Sequence, residues 1–174
     1  MWVFGYGSLM WDNWEKDFAG VKFDHATLHD FHRSFNKSSV VNWGTNENPG
    51  PTLGLEPKAG EICIGTAFEI PKEQEAAVMA ELARREGRSF ALKPLEIVLA
   101  DGRKVQALVP VNDRTRPTYL GGKALDELVA LAKAAGGTSG SCVSYIENIG
   151  RELRSLGIED RYVESFVSKL CRDA

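Results

Sequence analysis

The sequence predicts a protein of the α+β class. Residues 1 to about 111 alternate short extended runs with turns, whereas the residues after about 122 carry apolar side chains at helical spacing. The pair Asp101-Gly102 separates two apolar runs, which is a strong signal for a β-hairpin. Strands closed by hairpins and followed by grouped helices are typical of the α+β class.

The first half of the chain predicts six strands. Trp2-Val3-Phe4 is expected to be a strand that leads directly into a glycine loop. Residues 42–51 are dense in turn-forming residues and predict a surface loop. The other predicted strands are 26–35, 52–55, 62–70, 95–99 and 104–111.

Four helices are predicted. The first interrupts the strand-rich half: it starts near Pro71, carries Glu73 and Glu75 in its first turn, and ends at Gly87, a natural residue just past a helix end. The other three cover about 122–135, 141–156 and 159–171.

Length and composition indicate a single globular domain over residues 1–174. The formal net charge of −3 argues against a nucleic-acid partner or a polybasic membrane binder. No stretch approaches the roughly 20 apolar residues of a membrane-spanning helix, and the N-terminus does not resemble a signal peptide. Three cysteines without a CxxC pair favour a reducing compartment, so we expect a cytoplasmic protein.

Glu86 occupies an unfavourable position for an acid. It lies in the last turn of the predicted helix, where the helix dipole disfavours negative charge, and shares a face with Met79, Leu82 and Ala83. One interpretation is a structural ion pair with Arg84, Arg85 or Arg88. The other is a carboxylate of raised pKa that acts as a general base.

The loop Gly5-Tyr6-Gly7-Ser8-Leu9 is a candidate binding element. Two glycines around one residue allow successive N–H groups to face one concavity, which would bind a carboxylate, a phosphate or an oxyanion. The alternative is a tight turn after an edge strand. The loop is a poor dinucleotide fingerprint, because Met10 stands where the third glycine is required.

Three further features are weaker candidates. His25, His29 and His32 would share one face of a helix, as in a metal site, but their segment reads at least as well as a strand. Cys142 lies near a helix start and is a candidate reactive thiol, whereas Cys63 is expected to be a small core residue. Tyr145 either lines a pocket or belongs to the core.

Several segments together resemble the γ-glutamylcyclotransferases, and within them the ChaC type. The resemblance begins with Trp2-Val3-Phe4-Gly5-Tyr6-Gly7-Ser8-Leu9-Met10-Trp11 and includes Glu86 between Arg85 and Gly87. The other similar segments are His32-Arg33-Ser34-Phe35-Asn36, Pro49-Gly50-Pro51-Thr52-Leu53-Gly54-Leu55, Gly65-Thr66-Ala67-Phe68, Tyr119-Leu120-Gly121-Gly122, and Ser139-Gly140 with Tyr145. Cys142 replaces an asparagine that is usual in the family.

The resemblance implies a γ-glutamylcyclotransferase-like fold, in which a small mixed β-barrel-like sheet is surrounded by helices. It also implies cyclisation of the γ-glutamyl group of glutathione to 5-oxoproline with release of Cys-Gly. Glu86 would be the catalytic residue, and Gly5, Tyr6, Gly7, Ser8, Leu9 and Tyr145 would bind the substrate. No metal or cofactor is implied. The alternatives are a cyclotransferase for other γ-glutamyl amines or dipeptides and a non-enzymatic regulator of cation transport. No oligomeric state is predicted.

Overall fold

The structure is a computed structural model that describes residues 1–86 and 90–172, with Glu86 described by its backbone alone. The chain divides into two compact units. The first comprises Met1–His32 and Pro57–Asp113, and the second comprises Arg33–Glu56 and Arg114–Ala174. The expectation of one domain over residues 1–174 stays a prediction.

Five strands form a closed mixed barrel in the order β1-β3-β2-β4-β5. β1 pairs antiparallel with β3 and parallel with β5, and β4 pairs antiparallel with β2 and β5. The strands are β1 (Trp2–Gly5), β2 (Val21–Ser39), β3 (Gly50–Glu69), β4 (Phe90–Val98) and β5 (Lys104–Asn112). The predicted α+β class and the implied mixed barrel are confirmed.

The predicted hairpin around Asp101-Gly102 is the β4–β5 connection. The Leu99 N–H donates to the Arg103 carbonyl oxygen at 2.8 Å, and Gly102 adopts a left-handed φ of +88°. Glycine is favoured there because a side chain at that φ is strained. β4 begins at Phe90, earlier than the predicted residue 95.

The two strands predicted at 52–55 and 62–70 are one continuous strand, β3, so the predicted break between them is wrong. Within this segment Gly60 has a φ of +80°, and Asp30 on β2 has a φ of +60°. The Asp30 carboxylate accepts a hydrogen bond from the Gly60 N–H at 2.8 Å. The turn-forming residues near Gly60 therefore produce a local irregularity within β3, which the hydrogen bond from Gly60 to Asp30 stabilises. β3 continues past this irregularity.

Helix α1 (Glu75–Glu86) follows a 3-10 turn over Lys72–Gln74, which confirms the predicted start near Pro71. The predicted end at Gly87 lies outside the described residues. The predicted apolar face is partly wrong: Val78 and Leu82 are fully buried, whereas Met79 is 39% exposed and Ala83 is exposed. Each helical residue is rotated by about 100° from the one before. The face that contacts the core therefore centres on Val78 and Leu82.

The second unit contains the remaining helices, α2 (Leu125–Ala134), α3 (Cys142–Ser155) and α4 (Arg161–Arg172), close to the predicted ranges. Val163, Phe166 and Leu170 of α4 are buried, and the Phe166 ring lies 4.7 Å from that of Phe35. A short ribbon of β6 (Gly136–Gly137) and β7 (Gly140–Ser141) was not predicted. Among the described residues, none of the helices has the length and apolar character needed to cross a membrane.

Candidate active site

The glycine loop leaves the end of β1 and closes into a 3-10 turn over Ser8–Met10. The Met10 N–H donates to the Gly7 carbonyl oxygen at 2.9 Å, and the Trp11 N–H donates to that of Ser8 at 3.3 Å. Leu9 and Met10 are buried, whereas Ser8 is exposed. The buried side chains of Leu9 and Met10 thus anchor the loop, and the Ser8 side chain is exposed to solvent.

Tyr6 anchors the loop to the barrel. Its side chain is 6% exposed, and its hydroxyl donates to the Pro110 carbonyl oxygen on β5 at 2.8 Å. Such a bond stabilises a fold by about 1 kcal/mol, and losing it leaves a buried carbonyl with one partner fewer. The prediction that Tyr6 binds substrate stays a prediction.

Close packing accounts for the first glycine of the loop. A β-carbon on Gly5 would lie 3.0 Å from the Leu9 β-carbon and 3.2 Å from the Phe68 ring. On the neighbouring strand, a β-carbon on Gly65 would lie 2.3 Å from the Gly5 carbonyl oxygen. Gly7 has a φ of −137°, so it does not adopt the left-handed conformation of an anion-binding concavity. The first N–H groups of a helical turn nevertheless lack partners within the turn. Anion binding by Gly7, Ser8 and Leu9 stays a prediction.

The helix that ends at Glu86 and this loop both contribute side chains to one buried cluster. Leu9 of the loop and Val78 and Leu82 of α1 belong to one buried apolar cluster, whose other members are Val3, Trp14, Phe68 and Ile70. Glu86 is the last residue of α1, one turn after Leu82. Its side chain lies outside the described residues, so its role as the catalytic acid stays a prediction.

The arginines beside Glu86 have other carboxylate partners. Arg84 donates two hydrogen bonds to Glu81, at 2.7 and 2.8 Å, and these bonds lower the pKa of the Glu81 carboxyl. Arg85 forms an ion pair with Asp12, across 73 positions of the chain. Arg88 lies outside the described residues. A structural ion pair between Glu86 and either Arg84 or Arg85 would therefore compete with the bonds that these arginines form with Glu81 and Asp12.

Tyr145 belongs to the second unit. Its hydroxyl accepts a hydrogen bond from the Leu53 N–H at 3.2 Å, and its ring stacks on Trp43 with the centroids 4.8 Å apart. These contacts fix the ring within that unit. Its predicted part in substrate binding stays a prediction.

The structure contradicts the alternative of a reactive thiol at Cys142. The side chain is fully buried, and burial raises the pKa of the thiol to about 12, because a thiolate would lose its hydration. The Sγ atom donates to the Pro51 carbonyl oxygen at 3.3 Å. Cys63 is buried as predicted.

The three histidines lie on strand β2, so the helical arrangement that would gather them on one face is absent from that segment. Among the described residues, no group of three or more His, Cys, Asp or Glu side chains could hold a metal ion.

Sequence reasoning missed the partners of the loop and of α1. Asp12 and Pro110 carry no motif, and they bond to residues 73 and 104 positions away. Each contact joins segments far apart in the chain, so no local pattern in the sequence could have revealed it.

Known proteins of one family match this chain over nearly its whole length. A family model described as ChaC-like protein matches residues 1–172. The glutathione-specific gamma-glutamylcyclotransferase of Escherichia coli K12 is 32% identical over 165 residues, which cover 92% of this chain and 68% of the relative. Gamma-glutamylcyclotransferase 2-3 of Arabidopsis thaliana is 28% identical over 181 residues, covering 98% and 88%.

Among solved structures, a yeast gamma-glutamyl cyclotransferase specific to glutathione matches with a TM-score of 0.87. The alignment covers 99% of this chain and 96% of that structure at 21% sequence identity. At this identity the likeness establishes the fold and leaves the activity to other arguments.

Proposed function

We propose that this chain is a glutathione-specific γ-glutamylcyclotransferase, and the premise is its family: the chain belongs to the ChaC-like family, whose model matches residues 1–172. The substrate is a small molecule, glutathione, and the products are 5-oxoproline and Cys-Gly. The Escherichia coli relative, which is named a glutathione-specific gamma-glutamylcyclotransferase, supports this choice. The formal net charge of −3 gives no support to a nucleic-acid partner.

The reaction needs little from the protein beyond positioning and one proton acceptor. The α-amine of the γ-glutamyl group attacks the γ-carbonyl carbon of the same group. A new carbon–nitrogen bond closes the five-membered ring, and the bond to the cysteine nitrogen breaks. The amine loses a proton, and the leaving nitrogen gains one. Because the nucleophile is part of the substrate, holding it in the reactive geometry supplies much of the acceleration.

Glu86 is assigned as the general base that removes the proton from the amine and returns it to the leaving nitrogen. The glycine loop, Gly5 to Leu9, is assigned to an oxygen of the γ-glutamyl group, either the γ-carbonyl oxygen or the α-carboxylate. Backbone N–H groups of Gly7, Ser8 and Leu9 and the Ser8 hydroxyl are the donors it offers. Ser8 is a binding residue in this mechanism, and Tyr145 is a further candidate for substrate contact.

One observation carries the assignment of the site. Leu9 of the loop shares a buried cluster with Val78 and Leu82 of α1, the helix whose last residue is Glu86. The glycine loop and helix α1 are therefore supported by the same core, although Leu9 and Glu86 are 77 positions apart in the chain. Such a shared support is what a fixed geometry between a binding loop and a base requires.

The test is turnover of glutathione by the parent protein and by Glu86→Gln, with 5-oxoproline and Cys-Gly measured as products. We expect the parent to form both products in equal amounts and Glu86→Gln to lose nearly all turnover while its circular dichroism and melting temperature are retained. Glu81→Gln is the matched control, because Glu81 lies on the same helix and bonds to Arg84, and it should retain the parent rate.

Equal rates for the parent and Glu86→Gln would refute the mechanism. A parent that releases 5-oxoproline from other γ-glutamyl amines, but not from glutathione, would refute the proposed substrate and keep the reaction.

A reducing compartment such as the cytoplasm is the proposed location. Among the described residues the three cysteines form no disulfide, and two of them, Cys63 and Cys142, are buried, which suits a protein of a reducing compartment.

A further inference from the structure

We propose that the ion pair between Asp12 and Arg85 positions the last turn of α1, and with it Glu86, relative to the glycine loop. The proposal rests on the proposed function, because it concerns the geometry of the assigned base. Asp12 and Arg85 are thus positioning residues that act through Glu86 and do not themselves touch the reacting atoms.

The two arginines that precede Glu86 differ in the location of the carboxylate that each one binds. Arg84 is 72% exposed and bonds to Glu81, three residues earlier on the same helix. Arg85 is 21% exposed and reaches Asp12, which follows the 3-10 turn of the loop. An exposed pair within one helix adds little and fixes nothing outside the helix. The Arg85 pair instead joins the end of α1 to a distant segment.

Asp12 is itself anchored on both sides. Its Oδ1 atom accepts a hydrogen bond from the Trp14 N–H at 3.4 Å, which leaves Oδ2 for Arg85. Trp14 is buried and packs its ring against Phe68, with the centroids 5.1 Å apart. On the other side, the Trp11 N–H donates to the Ser8 carbonyl oxygen, so Asp12 directly follows the turn of the loop. A displacement of Arg85 relative to Asp12 is therefore a displacement relative to the loop.

The end of α1 needs such a tie. The last carbonyl groups of a helix have no partner within the helix, and terminal turns open most readily. The buried cluster holds α1 through Val78 and Leu82, whereas Ala83 and Arg84 are exposed and Arg85 is partly exposed. Arg85, in that final turn, forms an ion pair with a segment outside α1. A cation in the last turn is also favoured by the helix dipole.

The experiment compares kcat and KM for glutathione in four single variants. Arg85→Gln and Asp12→Asn remove the pair, and Asp12→Asn keeps an oxygen to accept from the Trp14 N–H. We expect kcat to fall at least about 10-fold in both, since a misplacement of about 1 Å can cost 10²-fold, while KM changes by less than about 3-fold. Arg84→Gln and Glu81→Gln are the matched controls, because they break the neighbouring pair, and they should stay within about 2-fold of the parent.

Three further measurements separate positioning from general destabilisation. The double variant Asp12→Asn/Arg85→Gln should lose no more kcat than either single variant, because both substitutions break the same contact. Arg85→Lys should recover part of the kcat that Arg85→Gln loses. Amide hydrogen exchange should accelerate at residues 83–86 in Asp12→Asn and Arg85→Gln, but not in Arg84→Gln, and this readout does not depend on activity.

The proposal is overturned if Arg85→Gln and Arg84→Gln behave alike in both kcat and hydrogen exchange. It is also overturned if Arg85→Gln raises KM at unchanged kcat while Asp12→Asn matches the parent, because Arg85 would then bind substrate itself. An active Glu86→Gln variant would instead refute the assignment of the base, and a parent without turnover would refute the proposed function. In that case accelerated exchange at residues 83–86 would still establish the structural tie.

Discussion

Replacing Leu82 by alanine tests which face of α1 packs into the buried cluster that it shares with the glycine loop. Leu82 is fully buried in the cluster that includes Leu9 and Val78. The substitution removes three carbon atoms, each contributing about 0.8 kcal/mol when buried, or about 2.4 kcal/mol together. The cavity that remains adds to this loss, and buried Leu→Ala substitutions cost about 3–5 kcal/mol in total when the site cannot collapse. We expect a loss of this size in the free energy of unfolding.

Met79→Ala is the matched control on the same helix. Met79 is 39% exposed, so its removal should cost less than about 1 kcal/mol. Urea unfolding followed by circular dichroism measures both variants. With a slope of about 2 kcal/mol per M, the Leu82→Ala midpoint should fall by roughly 1.5 M or more. Equal midpoint shifts in the two variants would refute the assignment of the buried face, and a larger loss in Met79→Ala would restore the face predicted from sequence.

Three other substitutions or treatments test separate contacts. Tyr6→Phe should lower the free energy of unfolding by about 1–3 kcal/mol, because it removes the buried hydrogen bond to β5; an unchanged urea midpoint would contradict this role. In the folded protein, iodoacetamide should modify the exposed Cys171 and spare Cys142, whose pKa is raised to about 12 by burial, and mass spectrometry that finds Cys142 modified before unfolding would contradict the burial. Gly65→Ala should lower the melting temperature, since its β-carbon would collide with the Gly5 carbonyl oxygen and cost about 1–3 kcal/mol or more; a parent-like melting temperature would show that the strands can separate freely.

Local patterns predicted most elements of the fold. The Asp101-Gly102 turn and the helical spacing of Val163, Phe166 and Leu170 each reflect forces between near neighbours, so the sequence shows them directly. The break predicted within β3 failed for the opposite reason. The Gly60 N–H within β3 donates a hydrogen bond to Asp30 on β2, and the composition of β3 alone could not reveal this contact.

The same distinction applies to the candidate site. The glycine loop and the acid at the end of α1 could be proposed from sequence, because their residue types are unusual where they stand. The apolar face of α1 was placed one residue off, with Met79 in the position that Val78 occupies, since both are apolar and only the packed core decides between them. Two contacts of these elements, Tyr6 with Pro110 and Arg85 with Asp12, join residues far apart in the chain and so could not be predicted from local patterns.

The buried thiol of Cys142 has a consequence for a protein proposed to act on glutathione, which itself carries a thiol. Exchange between thiols and disulfides requires a thiolate and access to it. Burial raises the pKa of Cys142 to about 12, so almost none of this thiol is ionised at neutral pH, and its position in the core excludes a tripeptide disulfide. Cys142 is therefore shielded from S-glutathionylation, and the ratio of reduced to oxidised glutathione should not regulate the protein through this residue.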